Sequence, residues 1–225
     1  MNHVYRRRAA GWGIGVALCL LGTLAPAQQP AAAAETAVTP KPAVAPETAI
    51  TLQAEGFRLI VAKDGYVLSF IDTRTGKDYA GKDVRQPFAF LRKGGKNVPP
   101  MGCSASGNLI TVTFPEGAAV DLKVTPKGRW LVLEVAAARG VTAEELVFGA
   151  LRLALNKHVS WISGVASDGE FSVAVRALNL KANLRLGGVP SHFEPTCYAR
   201  YGMVGARIAL VGCPAERLRP VLQDL

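Results

Sequence analysis

The densest group of polar and aromatic side chains in this sequence lies between Ser191 and Tyr201. His192 and Glu194 are two positions apart, so in a β-strand both would project from the same face. A histidine and a carboxylate that face one substrate can serve as the general acid and general base that open a sugar ring. The same segment also reads as an ordinary loop, and the residues leave both interpretations open.

Sugar binding without catalysis requires less of the same segment. An aromatic ring can offer its face to the apolar side of a pyranose, while a few polar groups hold the hydroxyls. The candidate ligand-binding residues are Phe193, Tyr198, Arg200 and Tyr201. A surface that packs against another domain explains the segment equally well.

Other aromatic and histidine positions favour structural roles. Trp130 and Trp161 fall within β-prone runs, so we expect both in the core. His158 follows Asn156-Lys157 in a predicted turn, which favours an exposed histidine.

Several kinds of chemistry find no support in the sequence. There is no GxSxG or HExxH motif, and Gly94-Gly95 and Gly187-Gly188 are typical of turns rather than of phosphate-binding loops. No CxxC spacing occurs, so a zinc site is not expected. We also expect no other metal and no cofactor. Beyond the leader the chain carries Cys103, Cys197 and Cys213. This odd number allows a Cys197–Cys213 bridge, although a buried thiol is the commonest fate of such cysteines.

The N-terminal 27 residues have the pattern of a signal peptide. Arg6-Arg7-Arg8 precede the apolar stretch from Gly11 to Leu24, and Ala25-Pro26-Ala27 fits a cleavage site. Residues 28–49 are rich in Ala and Pro and are predicted to be a disordered linker. We therefore expect an exported protein, periplasmic or extracellular, with no membrane span after cleavage.

The positive charge of the chain is spread out. The formal net charge is +9, and removal of the three leader arginines leaves +6. No basic run or basic helix concentrates this charge, so nucleic acid is not an expected partner. Weak attraction to acidic glycans remains an option.

Short β-prone runs with turn residues between them dominate the rest of the sequence. Asp64-Gly65 predicts a tight type I′ hairpin between Phe57–Ala62 and Tyr66–Ile71, and Asp168-Gly169 predicts a second hairpin. The remaining predicted strands are Ile50–Gln53, Phe88–Arg92, Leu109–Phe114, Ala119–Val124, Trp130–Val135, Leu146–Phe148, Leu151–Leu155, Val159–Val165, Phe171–Leu178, Leu180–Leu186 and Ala206–Val211. This spacing predicts an antiparallel sandwich over residues 50–225.

The last residues, from Pro214 onward, predict a short helix. Leu218, Val221, Leu222 and Leu225 would lie on one helical face. The sequence shows nothing to cover that stripe, so we expect the chain to be the N-terminal part of a longer protein, or a free-standing relative of such a part.

The hairpin and the phrase after it, Asp72-x-x-Thr75-Gly76-Lys77-x-Tyr79, resemble the opening of galactose-mutarotase-like β-supersandwich domains. Such domains precede the catalytic barrel in large secreted bacterial glycoside hydrolases, and here one residue fewer separates Ile71 from Asp72. The resemblance implies a carbohydrate-associated domain whose partner is a glycan or a downstream catalytic domain, non-catalytic by itself. The alternatives are a free-standing mutarotase-like or lyase-like enzyme that uses His192 and Glu194, or an envelope scaffold protein.

Overall fold

The computed structural model describes residues 49–188 and 190–225, which form an all-β fold with one short C-terminal helix. The predicted signal peptide and all but the last residue of the predicted linker lie outside these residues. The elements are β1 (Ala49–Gln53), β2 (Phe57–Ala62), β3 (Val67–Asp72), β4 (Ala89–Lys93), β5 (Lys96–Val98), β6 (Gly102–Ser106), β7 (Leu109–Thr113), β8 (Ala119–Pro126), β9 (Trp130–Arg139), β10 (Glu145–Phe148), β11 (Leu151–Leu153), β12 (His158–Ser160), β13 (Val165–Ser167), β14 (Phe171–Ala177), β15 (Ala182–Gly187), β16 (Ser191–Tyr198), β17 (Arg207–Pro214) and α1 (Leu218–Gln223).

The strands form three antiparallel sheets. One has the order β1-β2-β3, a second runs β11-β16-β10-β4-β5 with β15 also on β16, and an eight-stranded sheet runs β12-β13-β14-β17-β9-β8-β7-β6. Their inward side chains share one core, in which Leu59, Leu133, Phe148, Phe171 and Phe193 have no exposed surface. The predicted antiparallel β-sandwich is therefore confirmed.

The C-terminal helix covers the outer face of the eight-stranded sheet. Val221 is buried, and Leu218 and Leu222 pack with it against Ala174 and Val211 of β14 and β17. Burial on both faces explains why these two strands are almost continuously apolar rather than alternating. The expectation of an uncovered apolar stripe is wrong for Leu218, Val221 and Leu222, because the sheet itself covers them, whereas Leu225 lies beyond α1 and is exposed.

The first hairpin uses a different turn from the predicted one. Only Gly65 has positive φ, at 85°, whereas a type I′ turn needs positive φ at both central residues. Gly65 N donates to Ala62 O, and Ala62 N donates to Tyr66 O, which closes a three-residue loop with glycine at its last position. A type I′ turn fits Gly94-Gly95 instead, because both residues have positive φ in the two-residue connection between β4 and β5.

The segment after β3, residues 72–79, is held together by the buried side chain of Asp72. Its Oδ1 accepts from Arg74 N at 2.9 Å, and its Oδ2 accepts from Thr75 Oγ1 at 2.8 Å. Asp78 Oδ1 caps the other side, since it accepts from Phe70 N at 2.9 Å and Ala80 N at 3.0 Å. Both carboxylates accept hydrogen bonds that order the turn, so this segment has a structural role in this chain.

Two glycines let the three-stranded sheet approach the eight-stranded sheet closely. A Cβ on Gly56 would overlap the carbonyl oxygen of Gly212, and a Cβ on Gly212 would lie 2.9 Å from Phe57 Cδ1. Phe57 in turn stacks on Phe70, with ring centroids 4.9 Å apart. The absence of side chains at these two positions allows the aromatic pair to pack under the larger sheet.

Some strands differ from their predicted bounds. The predicted run Val159–Val165 is divided into β12 and β13 by a turn at residues 161–164, while β5 and β6 were not predicted. His158 is exposed as predicted, but it begins β12 rather than lying in a turn. The predicted strand Leu146–Phe148 is confirmed as β10, whereas the predicted strand Leu151–Leu155 ends two residues earlier, as β11.

Candidate functional site

The predicted site segment forms β16 and the turn that follows it. His192, Glu194 and Tyr198 lie partly exposed on the outer face of the strand, and Phe193, Pro195 and Cys197 alternate with them on the inner face. Thr196 shares the outer face but is buried beside Val147 of β10. Pro195 sits where the partner of β16 on one side changes from β11 to β10, so its missing N–H leaves no ladder bond unmade. The strand therefore displays one row of polar side chains to the outside.

His192 and Glu194 share this face, as predicted, but are not hydrogen-bonded to each other. His192 Nε2 lies 4.0 Å from Glu194 Oε1, which is beyond hydrogen-bonding distance. Glu194 Oε2 instead accepts from Arg92 Nη2 of β4 at 3.1 Å. The carboxylate that would act with His192 is therefore paired with a guanidinium.

Arg92 belongs to a compact network of opposite charges on this outer face. It also donates to Glu145 Oε2 of β10 at 2.7 Å, and Arg185 of β15 donates to both oxygens of Glu145 at 3.2 Å. Arg185 additionally contacts Tyr198 Oη at 3.3 Å. Burial works to raise the pKa of Glu145, but the hydrogen bonds from Arg185 and Arg92 outweigh it and lower that pKa. The two guanidiniums and two carboxylates balance in charge, which favours a fixed polar surface.

A second cluster lies at the end of β16, where Arg200 stands over two tyrosine rings. Its guanidinium carbon is 5.4 Å from the ring centroid of Tyr198 and 4.7 Å from that of Tyr201. The two rings meet edge to face, with centroids 6.2 Å apart and planes at 84°. These contacts hold three predicted binding residues in one exposed group, since cation–π and edge-to-face contacts fix their relative orientation.

Two open concavities border this group. One, of about 600 Å³, lies between Tyr198, Arg200 and Tyr201 on one side and the turn from Ala177 to Asn183 on the other. The other, of about 460 Å³, is lined by Glu144, Glu145, Tyr198, Ala199 and Arg200. Tyr198 and Arg200 form part of both walls, so a bound molecule in either would meet the aromatic group.

The structure corrects two predicted aromatic positions. Phe193 has no exposed surface and belongs to the central core, so it cannot offer a ring to a sugar. Trp161 was expected in the core but lies in the turn between β12 and β13 with 68% of its surface exposed. Trp130 is partly buried against the small cluster that contains Val211 and Cys213, and it lies outside the central core in which it was expected.

Sequence reasoning missed Arg92, Glu145 and Arg185. Each lies in a different strand, and the three come together only because β10 pairs with both β4 and β16, and β15 pairs with β16. The one local signal was a charged side chain within an otherwise apolar run, as in Phe-Leu-Arg at residues 90–92. Such a signal does not identify its partner.

The three cysteines are free and buried, so the possible Cys197–Cys213 bridge is not formed. Burial raises the pKa of Cys103 and of Cys197 to about 12, and that of Cys213 to about 11. Within residues 49–188 and 190–225, no cluster of three or more His, Cys, Asp or Glu side chains could hold a metal ion. In the same part of the chain no helix has the length and apolar character to cross a bilayer.

Comparison with known proteins finds no family model and no curated protein that matches this chain.

Proposed function

We propose that this chain is an exported, carbohydrate-associated β-sandwich domain that binds glycan and catalyses no reaction by itself. It would act as a binding or supporting module of a glycan-active protein, in the manner of galactose-mutarotase-like supersandwich domains. The observation that carries the proposal is the exposed Tyr198–Arg200–Tyr201 group on the wall of the 600 Å³ concavity.

The chemistry of that wall suits a sugar. Tyr201 is 58% exposed, so its ring can offer apolar area to a pyranose. On the facing side, the Asn183 amide at the start of β15 and the Lys181 ammonium, which keeps donors besides the one given to Val204 O, supply polar groups for sugar hydroxyls. Because the concavity is open, it suits one or two residues of a longer polysaccharide better than an enclosed small molecule.

Glycan binding is tested by titrating the protein with a panel of neutral and acidic polysaccharides while following binding by calorimetry. We expect Tyr201→Ala and Arg200→Ala each to weaken binding about tenfold, since stacking and cation–π contacts contribute about 1 kcal/mol or more. The matched control is Tyr66→Ala. It removes a ring at a different turn, whose centroid lies 4.4 Å from the guanidinium carbon of Arg85. A flat response across the panel with the fold intact would favour the envelope scaffold instead.

The enzymatic alternative rests on His192 and Glu194, which share an exposed face. Its test is sugar anomerisation measured by polarimetry with the unaltered chain and with His192→Ala. Activity that depends on His192 would support it. Absence of activity in the unaltered chain ends it, in keeping with the pairing of Glu194 to Arg92.

The export part of the proposal is tested separately. Expression of the full chain in a bacterium should give a periplasmic or extracellular product that begins near Gln28, as read by N-terminal sequencing. A product that retains residues 1–27 in the cytoplasm would contradict it.

A further inference from the structure

One end of the sandwich gathers three turns, here called the three-turn end. They are residues 161–164 between β12 and β13, residues 178–181 between β14 and β15, and residues 199–206 between β16 and β17. The antiparallel registers bring them together, because Val165 pairs with Ala174, Ala182 with Cys197 and Ala177 with Ile208.

Direct contacts fix the three turns to one another or to shared strands. Lys181 Nζ donates to Val204 O at 2.7 Å, and Asn179 Nδ2 donates to Gly205 O at 2.7 Å. At the remaining turn, Val175 N of β14 donates to Gly164 O at 3.0 Å. The bases of the turns are therefore anchored, and their tips project from a rigid support.

The tips are apolar and almost fully exposed. Ile162 and Leu180 show 101% and 102% of their reference surface, beside Trp161, Tyr201 and Val204, which are also exposed. Five of the eight large apolar side chains that are exposed among the described residues thus lie at this one end. Single exposed apolar residues need no explanation, but a cluster of this kind marks an interaction surface.

The charge around these tips is of one sign. The segments 158–165, 176–183 and 199–207 contain Arg176, Lys181, Arg200 and Arg207 and no acidic residue. The carboxylates that border these segments belong to other elements: Glu134 lies opposite Arg207, Glu145 is bonded to Arg92 and Arg185, and Glu144 accepts from Gly94 N. The partner should therefore present negative charge around an apolar interior.

We propose that the three-turn end docks onto the surface of a bilayer that contains anionic lipids. Trp161, Ile162 and Leu180 would enter the boundary between headgroups and acyl chains, while Lys181 and Arg200 meet the lipid phosphates. Trp and Tyr side chains prefer this interfacial layer. Projecting aliphatic tips suit a medium that deforms around them, whereas a sugar offers no apolar volume for Ile162 and Leu180 to enter.

The test uses Trp161 as a built-in probe and does not depend on glycan binding. The full chain carrying Trp12→Phe is mixed with vesicles of brominated phosphatidylcholine and phosphatidylglycerol, so that Trp130 and Trp161 are the remaining fluorophores. Emission from Trp161 should be quenched, and the further change Trp161→Phe should leave unquenched Trp130 emission. High salt or vesicles without phosphatidylglycerol should weaken quenching, because the phosphate contacts are screened or lost.

The matched variants separate insertion from attraction by charge alone. For the double variant Ile162→Ser with Leu180→Ser, the lipid concentration that gives half-maximal quenching should rise at least about tenfold, because both apolar tips are lost. Met101→Ser removes an exposed apolar side chain just before β6, at the other edge of the eight-stranded sheet, and should have no effect. Unquenched Trp161, equal quenching of Trp130, or quenching that survives the double change would overturn the proposal. Self-association through this end, seen as a change in oligomeric state with the same variants, would overturn it in favour of a protein interface.

Discussion

Lys77 Nζ donates to Asp168 Oδ2 at 2.9 Å and thereby joins two hairpins that are 91 residues apart in sequence. Lys77 belongs to the turn after the first hairpin, and Asp168 begins the loop of the second. Lys77 also lies 4.6 Å from the centre of the Tyr79 ring, which stacks on Phe171. Asp168 Oδ1 accepts from Glu170 N and Phe171 N at 2.9 and 2.8 Å. One carboxylate thus closes its own loop and fixes the three-stranded sheet to the eight-stranded sheet.

The change Asp168→Asn should destabilise the fold by about 1–2 kcal/mol, because it weakens charge-assisted bonds to two backbone amides and removes the ion pair. The measurement is the free energy of unfolding in urea at pH 7. Asp64→Asn in the other Asp-Gly turn is the matched control, since Asp64 is about half exposed and its pair with Arg85 should contribute under about 1 kcal/mol. Equal effects of the two changes would contradict this role for Asp168.

The same carboxylate predicts a pH dependence. Burial works to raise the pKa of Asp168, but bonds from Phe171 N, Lys77 and Glu170 N prevail and hold that pKa well below its ordinary value. A depressed pKa in the folded state adds stability above the unfolded value of about 3.9, and this stability is lost as pH falls through the folded value. The free energy of unfolding of the unaltered chain should fall more than that of Asp168→Asn between about pH 5 and about pH 2, where carboxylates take up protons. Urea unfolding at each pH measures both values. Parallel pH profiles would refute the assignment.

Arg92→Ala should cost about 2–3 kcal/mol in the free energy of unfolding, because Glu194 would lose its guanidinium partner in a poorly solvated place. Arg85→Ala, at an exposed pair, should cost well under about 1 kcal/mol. Adding Glu194→Gln to Arg92→Ala should recover part of the loss, since the uncompensated charge is removed. Additive losses in the double variant would show that the two side chains are not coupled.

Gly56→Ala should destabilise by about 1–3 kcal/mol or more, because its Cβ would overlap Gly212 O, a backbone atom that cannot turn aside. Gly102→Ala is the control, since its Cβ would meet the Thr113 hydroxyl at 3.1 Å, a side-chain end that can move. Neither glycine has positive φ, so both changes stiffen the unfolded chain alike. Thermal unfolding should separate the two variants by several degrees.

Cys103, Cys197 and Cys213 should react with a thiol reagent only after unfolding, because burial raises their pKa values and excludes the reagent. The experiment uses Cys19→Ser so that the leader thiol does not contribute, and follows the absorbance of the released chromophore at pH 8 with and without urea. Rapid modification of the folded protein, or fewer thiols than expected after unfolding, would show that a cysteine is exposed or bridged.

Most strands could be predicted because the local pattern is strong. Phe57–Ala62 was predicted to the residue, and β14 and β17 were predicted to within a few residues, since apolar runs between turn residues need no distant information. The turn type predicted for Asp64-Gly65 was wrong. Tyr66 N donates to Asp64 Oδ1, and Tyr66 pairs with Pro87 of a later segment, so the loop has three residues rather than two. Trp161 was misplaced because a break within its β-prone run left it in a turn.

The sequence by itself determined an all-β chain, the order of its principal strands and the shared face of His192 and Glu194, because alternation along a strand is a local property. Only the tertiary structure decided what those side chains meet. Strand pairings that span about half the chain bring Arg92, Glu145 and Arg185 beside Glu194 and Tyr198. Phe193 is buried in the core, and α1 packs on β14 and β17. These outcomes depend on which strands become neighbours, and that choice is made by the free energy of the whole core rather than by any single segment.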